Sequence, residues 1–170
     1  MLPTVESFPD WYRGYAALVI ESTIPEALRA SREYRKQVLN HWPEAKATYR
    51  YAEGKWSVLE VMQHMIDTER IFTYRAIAFA RGEQTALPGY DHNAYVAVCK
   101  ADDRSFENVL KEIRVVRKST LALFESFSAE QLAVSGSANG MPLGVAQLGV
   151  IIAGHERHHL NVLKERYLSS

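Results

Sequence analysis

Across residues 57–81 the chain carries neither glycine nor proline, and that uninterrupted run sets the scale of whatever packs around it. The turn signal Glu53-Gly54-Lys55 precedes it, and Ser57 with Glu60 three residues later has the form of a capping box, each side chain accepting from the other residue's free backbone N–H. Val58, Met62, Met65, Phe72, Ala76 and Phe79 recur at helical period, while Gln63, Asp67, Arg70, Tyr74 and Arg81 take the opposite side. The pattern predicts an amphipathic helix of roughly seven turns. Such a rod has an apolar stripe that other long elements must cover.

Three further segments supply them. Thr23-Ile24-Pro25-Glu26 offers an N-cap, an early proline and a capping-box glutamate, predicting a helix over 23–40 that stops before Pro43. A third helix is predicted over 103–127, with Phe106, Leu110, Ile113, Leu121 and Phe124 inward, and a fourth over 143–167, with Pro142 near its start. Ser128-Ala-Glu-Gln131 is a short capped turn, and residues 135–144, S-G-S-A-N-G-M-P-L-G, a flexible loop. Residues 82–101, with Pro88-Gly89, form a long connection, and residues 1–22 an irregular arm or short helix whose Phe8, Trp11, Tyr12 and Tyr15 lie across apolar surface. No segment alternates as a strand. The expectation is one all-α domain over 1–170: a four-helix bundle with a long crossover loop and an aromatic N-terminal arm.

Twenty basic residues balance twenty acidic ones, which removes the electrostatic basis for a nucleic-acid or anionic-membrane partner. The N-terminus lacks the basic and apolar regions of a secretory signal, and no apolar run is long enough to span a bilayer. Cys99 is the single cysteine, so no intramolecular disulfide is available and a buried hydrophobic role is expected for it. A cytoplasmic protein acting on a small molecule is the resulting expectation.

Residues 154–160, G-H-E-R-H-H-L, hold three of the six histidines. On a helix His155 and His159 share one face, flanking the stripe of Val145, Leu148, Ile152 and Leu163, while His158 lies further out toward solvent. Two imidazoles at i and i+4 grip a metal ion, and a third ligand is His64, at the flank of its own helix. Glu69 and Glu156 fall in line with apolar residues, so each needs a buried partner: Arg70, Arg75, Arg157 or the N–H of a ligand histidine. Tyr90, Asp91 and His92 sit where the long connection either overhangs a site or simply covers the bundle. Residues 155–159 also match H-E-x-x-H, a metalloprotease signature in which the glutamate is the general base, but no strand is predicted to receive an extended peptide.

The blocks W-S-V-L-E-V-M-Q-H, D-T-E-R-I-F-T-Y-R-A, L-P-G-Y-D, A-N-G-M-P-L and I-I-A-G-H-E-R-H-H-L make the chain resemble the DinB/YfiT-like family of metal-dependent enzymes, from near Trp11 to Tyr167. The resemblance implies a four-helix bundle in which three histidines bind a divalent ion, zinc or nickel; His64, His155 and His159 match those ligands. It further implies homodimers, and relatives that include hydrolases, bacillithiol-dependent S-transferases and mycothiol-dependent isomerases. The expected function is therefore metal-dependent transfer of a low-molecular-weight thiol to a small electrophile, with hydrolysis as the alternative. A third reading is a non-enzymatic, metal-stabilised stress-response or binding module, marked by a fourth ligand such as His92, Asp91 or His158.

Overall fold

The computed structural model describes residues 2–168. Its main elements are α1 (Asp10–Ala16), α2 (Ile24–Leu39), α3 (Val58–Ala80), α4 (His92–Val98), α5 (Phe106–Ser126), α6 (Ala129–Leu132), β1 (Ser135–Ala138), β2 (Met141–Gly144) and α7 (Val145–Val162), which runs on into a π-helical stretch, Leu163–Leu168. The capping boxes at Thr23/Glu26, Ser57/Glu60 and Ser128/Gln131 are all formed, so the starts of α2, α3 and α6 fall where the side chains dictate. The arm takes the form of the short helix α1 after a single 3-10 turn. The third long helix begins at Phe106 because Ser105 is its N-cap, and residues 101–103 form a separate 3-10 turn.

Both α2 and α3 pack on α5 and on α7, so the helices first and second in the bundle face each other across its diagonal. The two ends of the bundle have separate apolar clusters. One holds Tyr12, Leu28, Phe72, Phe79, Phe124 and Leu148; the other holds Leu39, Met62, Ile66, Leu110, Ile113 and Leu163. No helix among the described residues is long and apolar enough to cross a membrane. Cys99 is half-buried beside the second cluster rather than enclosed in it.

Residues 135–144 are a correction to the sequence reading: they form an antiparallel hairpin, with Ser135 opposite Gly144 and Ala138 opposite Met141. Asn139 and Gly140 both have positive φ, 53° and 71°, the requirement of a two-residue turn that follows the twist of its strands. The Asn-Gly signal was in the sequence, but the small residues and proline beside it hid the strands. Leu87 extends the pairing, its N–H donating to Ser137 O (2.9 Å) and its carbonyl accepting from Asn139 N–H (3.0 Å). A Cβ on Gly136 would lie 2.2 Å from the Phe79 ring, so this glycine lets the hairpin rest directly on α3.

Between the apolar clusters lies a layer of charge to which each long helix contributes one charged residue. Arg117 on α5 donates from Nε and Nη2 to both oxygens of Glu69 on α3, each at 2.8 Å, and from Nη1 to Glu156 on α7 at 2.6 Å. Arg35 on α2 donates to the other oxygen of Glu156 at 2.6 Å, and the Ser31 hydroxyl donates to Glu156 as well. Both glutamates therefore have buried partners, but not those proposed from sequence proximity. Arg70 pairs with Glu112, Arg157 with Glu21, and Arg75 turns elsewhere.

Candidate metal centre and its pocket

Halfway along the bundle, the last turns of α7 meet the N-terminal half of α3. Nε2 of His155 lies 3.0 Å from Nε2 of His64 and 3.1 Å from Nε2 of His159, and the three donor atoms are within 4.8 Å of one another. Tetrahedral ligands at a Zn–N distance of about 2.0–2.1 Å would stand about 3.3 Å apart, so the donor set suits a divalent ion after small ring rotations. Burial is the largest cause holding His64 down to about 4, with His92 and His158 adding to it; His155 and His159 are driven well below the ordinary range, again mainly by burial. All three are thus neutral near pH 7, the form whose lone pair a metal needs.

Thr68, one turn beyond His64 on α3, places its hydroxyl 3.5 Å from His64 Nδ1 and 2.7 Å from the Tyr90 hydroxyl. An Nδ1–H directed at Thr68 leaves Nε2 of His64 facing its two neighbours. His155 is held edge-on by the Tyr15 ring, 5.3 Å between centroids. Tyr15 reaches it because α1 lies directly on α7 at Gly154, where a Cβ would stand 2.0 Å from the Tyr15 carbonyl oxygen.

Above the histidines opens a pocket of about 290 Å³ walled by Trp11, Tyr12, Trp56, Phe72, Arg75 and Tyr90, among others. Tyr90 and His92 from the long connection line it, and the His92 ring is 5.8 Å from that of His64. Asp91 does not: its carboxylate accepts from the backbone N–H groups of Asn93 and Ala94 and caps α4. His158 is exposed, packed edge-on against Tyr15. Neither is a member of the three-histidine group, nor is His92.

Glu156, adjacent to the ligand candidate His155, points the opposite way. Burial pushes its pKa up, but Arg117 and Arg35 outweigh that and bring it to about 2. It is a locked anion of the bundle centre, and neither it nor Glu69 lines the pocket, so the H-E-x-x-H pattern is not accompanied by a base facing a bound water. Sequence reasoning missed Thr68 and the pocket-facing role of Arg75. Both share the His64 side of α3, spaced four and eleven residues on.

A family model of the DinB superfamily matches residues 27–163. No curated protein matches the sequence. The structure of YfiT from Bacillus subtilis, described as a probable metal-dependent hydrolase with an unusual four-helix bundle topology, is similar with a TM-score of 0.74 at 16% identity, covering 97% of this chain and 90% of that one. At that identity the likeness is one of fold.

Proposed function

The chain belongs to the DinB superfamily, and on that premise we propose that it is a divalent-metal-dependent enzyme joining a low-molecular-weight thiol to a small electrophile. The observation that carries this reading is the conjunction of three neutral imidazoles with a pocket that has no carboxylate in its wall among the described residues. A divalent ion held by His64, His155 and His159 would keep its full charge, and when bound would favour a thiol as thiolate or draw the pKa of a water toward about 7.

Thiol transfer asks little more of the surrounding residues. The sulfur forms a bond to the electrophilic carbon, the leaving group departs with its bonding pair, and the thiol proton goes to solvent. Trp11, Trp56 and Phe72 exclude water around the reacting atoms, and the Tyr12 and Tyr90 hydroxyls orient polar groups of the bound molecule. Hydrolysis of an ester or amide would additionally need a group that takes a proton from water and returns it. One observation favours that second reading: His92 is half-buried at the pocket wall beside His64, within reach of such a relay.

The test is metal analysis of the purified protein beside His64→Ala and His159→Ala. Near-stoichiometric metal in the parent and its loss in both variants is the expected result; full occupancy in both variants would overturn the site. Thiol plus electrophile, assayed against ester and amide substrates, then separates transfer from hydrolysis.

A further inference from the structure

Three arginines are buried among the described residues, and two of them, Arg35 and Arg117, have carboxylate partners in the bundle centre. Arg75 is the exception. It is 2% exposed, yet among the described residues its guanidinium meets no carboxylate. One N–H of Nη2 donates to Pro88 O at 2.8 Å, the Tyr12 hydroxyl lies beside the group, and its Cζ lies 5.4 Å from the Phe72 ring centroid. A guanidinium has five N–H donors and keeps its charge at any ordinary pH, so these contacts leave both charge and donors to spare. Burying a charge without a counter-ion is costly, and the side of Arg75 that remains is the pocket wall shared with the three histidines.

We infer that Arg75 anchors a carboxylate on the small molecule that fills this pocket, which is thereby held at one end while its other end meets His64, His155 and His159. This rests on the pocket being the functional site proposed above. A single planar fork suits a singly charged carboxylate better than a dianionic phosphate, and the Tyr12 and Tyr90 hydroxyls supply neutral hydrogen bonds beside it. His64 and Arg75 are eleven residues apart on one helix, about 16 Å of rise, which the arginine shortens by leaning back over Phe72. The carboxylate must therefore be several bonds from the reacting atom. Holding Pro88 alone would not explain the charge, because that contact uses one N–H of the five.

Trp11 and Trp56 line the pocket and make tryptophan fluorescence a direct binding readout. The probes are 6-mercaptohexanoate, 6-mercaptohexanol and hexanoate, titrated into zinc-loaded and chelator-treated protein. The acid should bind the parent at least about tenfold more tightly than the alcohol, the size expected of a hydrogen bond to a charged group. That ratio should fall to about one in Arg75→Met and recover in part in Arg75→Lys. Hexanoate should bind chelated protein in an Arg75-dependent way, which locates the carboxylate at the arginine independently of the thiol. Equal binding of acid and alcohol by the parent overturns the inference, whether or not Arg75→Met folds. So does a preference that persists in Arg75→Met and vanishes on chelation, since the carboxylate would then be at the metal. Failure of the metal reading looks different: the thiol adds nothing in zinc-loaded protein, while hexanoate binding and its dependence on Arg75 remain.

Discussion

The charged layer at the bundle centre and the pocket beside it are built from neighbouring residues on the same helices, yet they are finished to opposite degrees. In the layer, two guanidiniums and two carboxylates neutralise each other, and the groups are tied by hydrogen bonds across all four helices. In the pocket, three imidazoles are kept neutral by burial, one arginine meets no acid among the described residues, and the walls are mostly aromatic. His155 and Glu156 show the contrast in two consecutive residues: one faces an opening with its lone pair available, the other is fully satisfied behind it. The layer needs nothing from outside the chain, whereas the pocket's donors and charge are arranged for something that binds.

The largest effect should come from breaking the layer. Arg117→Met leaves Glu69 and Glu156 without their shared cation and should cost about 3–5 kcal/mol in urea denaturation. A loss below about 1 kcal/mol would show that the layer is not the closed unit described here.

Acid should take the two regions apart in sequence. His64 and Glu156 both have depressed values in the folded state, so the unfolded chain takes up their protons at higher pH and each group's contribution disappears as pH falls. In metal-free protein the His64 contribution should fade from 6.5 to about 4, and that of Glu156 from 4.5 to about 2. Melting temperature against pH should therefore decline in two stages, and His64→Ala should make the upper one shallower without removing it, because burial depresses His155 and His159 as well, while the lower one stays unchanged. A single stage below pH 4.5 in the parent would remove the distinction.

Smaller effects sharpen the picture of the pocket. His64→Ala in chelated protein should change stability by less than about 1 kcal/mol by denaturant titration, because no other residue depends on it as Glu69 and Glu156 depend on Arg117. Thr68→Val should weaken metal binding about tenfold in competition with a chelating dye, since it removes the hydroxyl beside His64 Nδ1, while the melting temperature of the chelated protein stays near that of the parent. Unchanged metal affinity would mean that Thr68 does not orient the ring.

Much of this was legible in the residues. Capping boxes marked the starts of α2, α3 and α6, and helical spacing brought His155 and His159 to one face, because these are local relations within a few residues. The partners of the glutamates were not, since Arg117 meets Glu69 and Glu156 across 48 and 39 residues of chain. A clue was nevertheless present. Arg117 continues the spacing of Leu110, Ile113 and Phe124, and Arg35 that of Leu28 and Leu39, so each basic residue stood on an apolar stripe. The sequence alone also could not distinguish an arginine that finds a carboxylate from one, Arg75, that faces a cavity. That difference depends on which helices become neighbours.

Gly154 gives the pocket a property that its inventory of walls does not convey. The backbone of α1 rests against the one position in that turn without a side chain, immediately before His155, so the aromatic wall and the ligand helix meet through a single missing methyl group. An alanine there would have to lift Tyr15 away while leaving every donor atom of the three histidines in the sequence. Because the Tyr15 ring also holds His155 edge-on, the width of the cavity and the setting of that donor ring are tied to one position, and a larger residue at 154 would change both together.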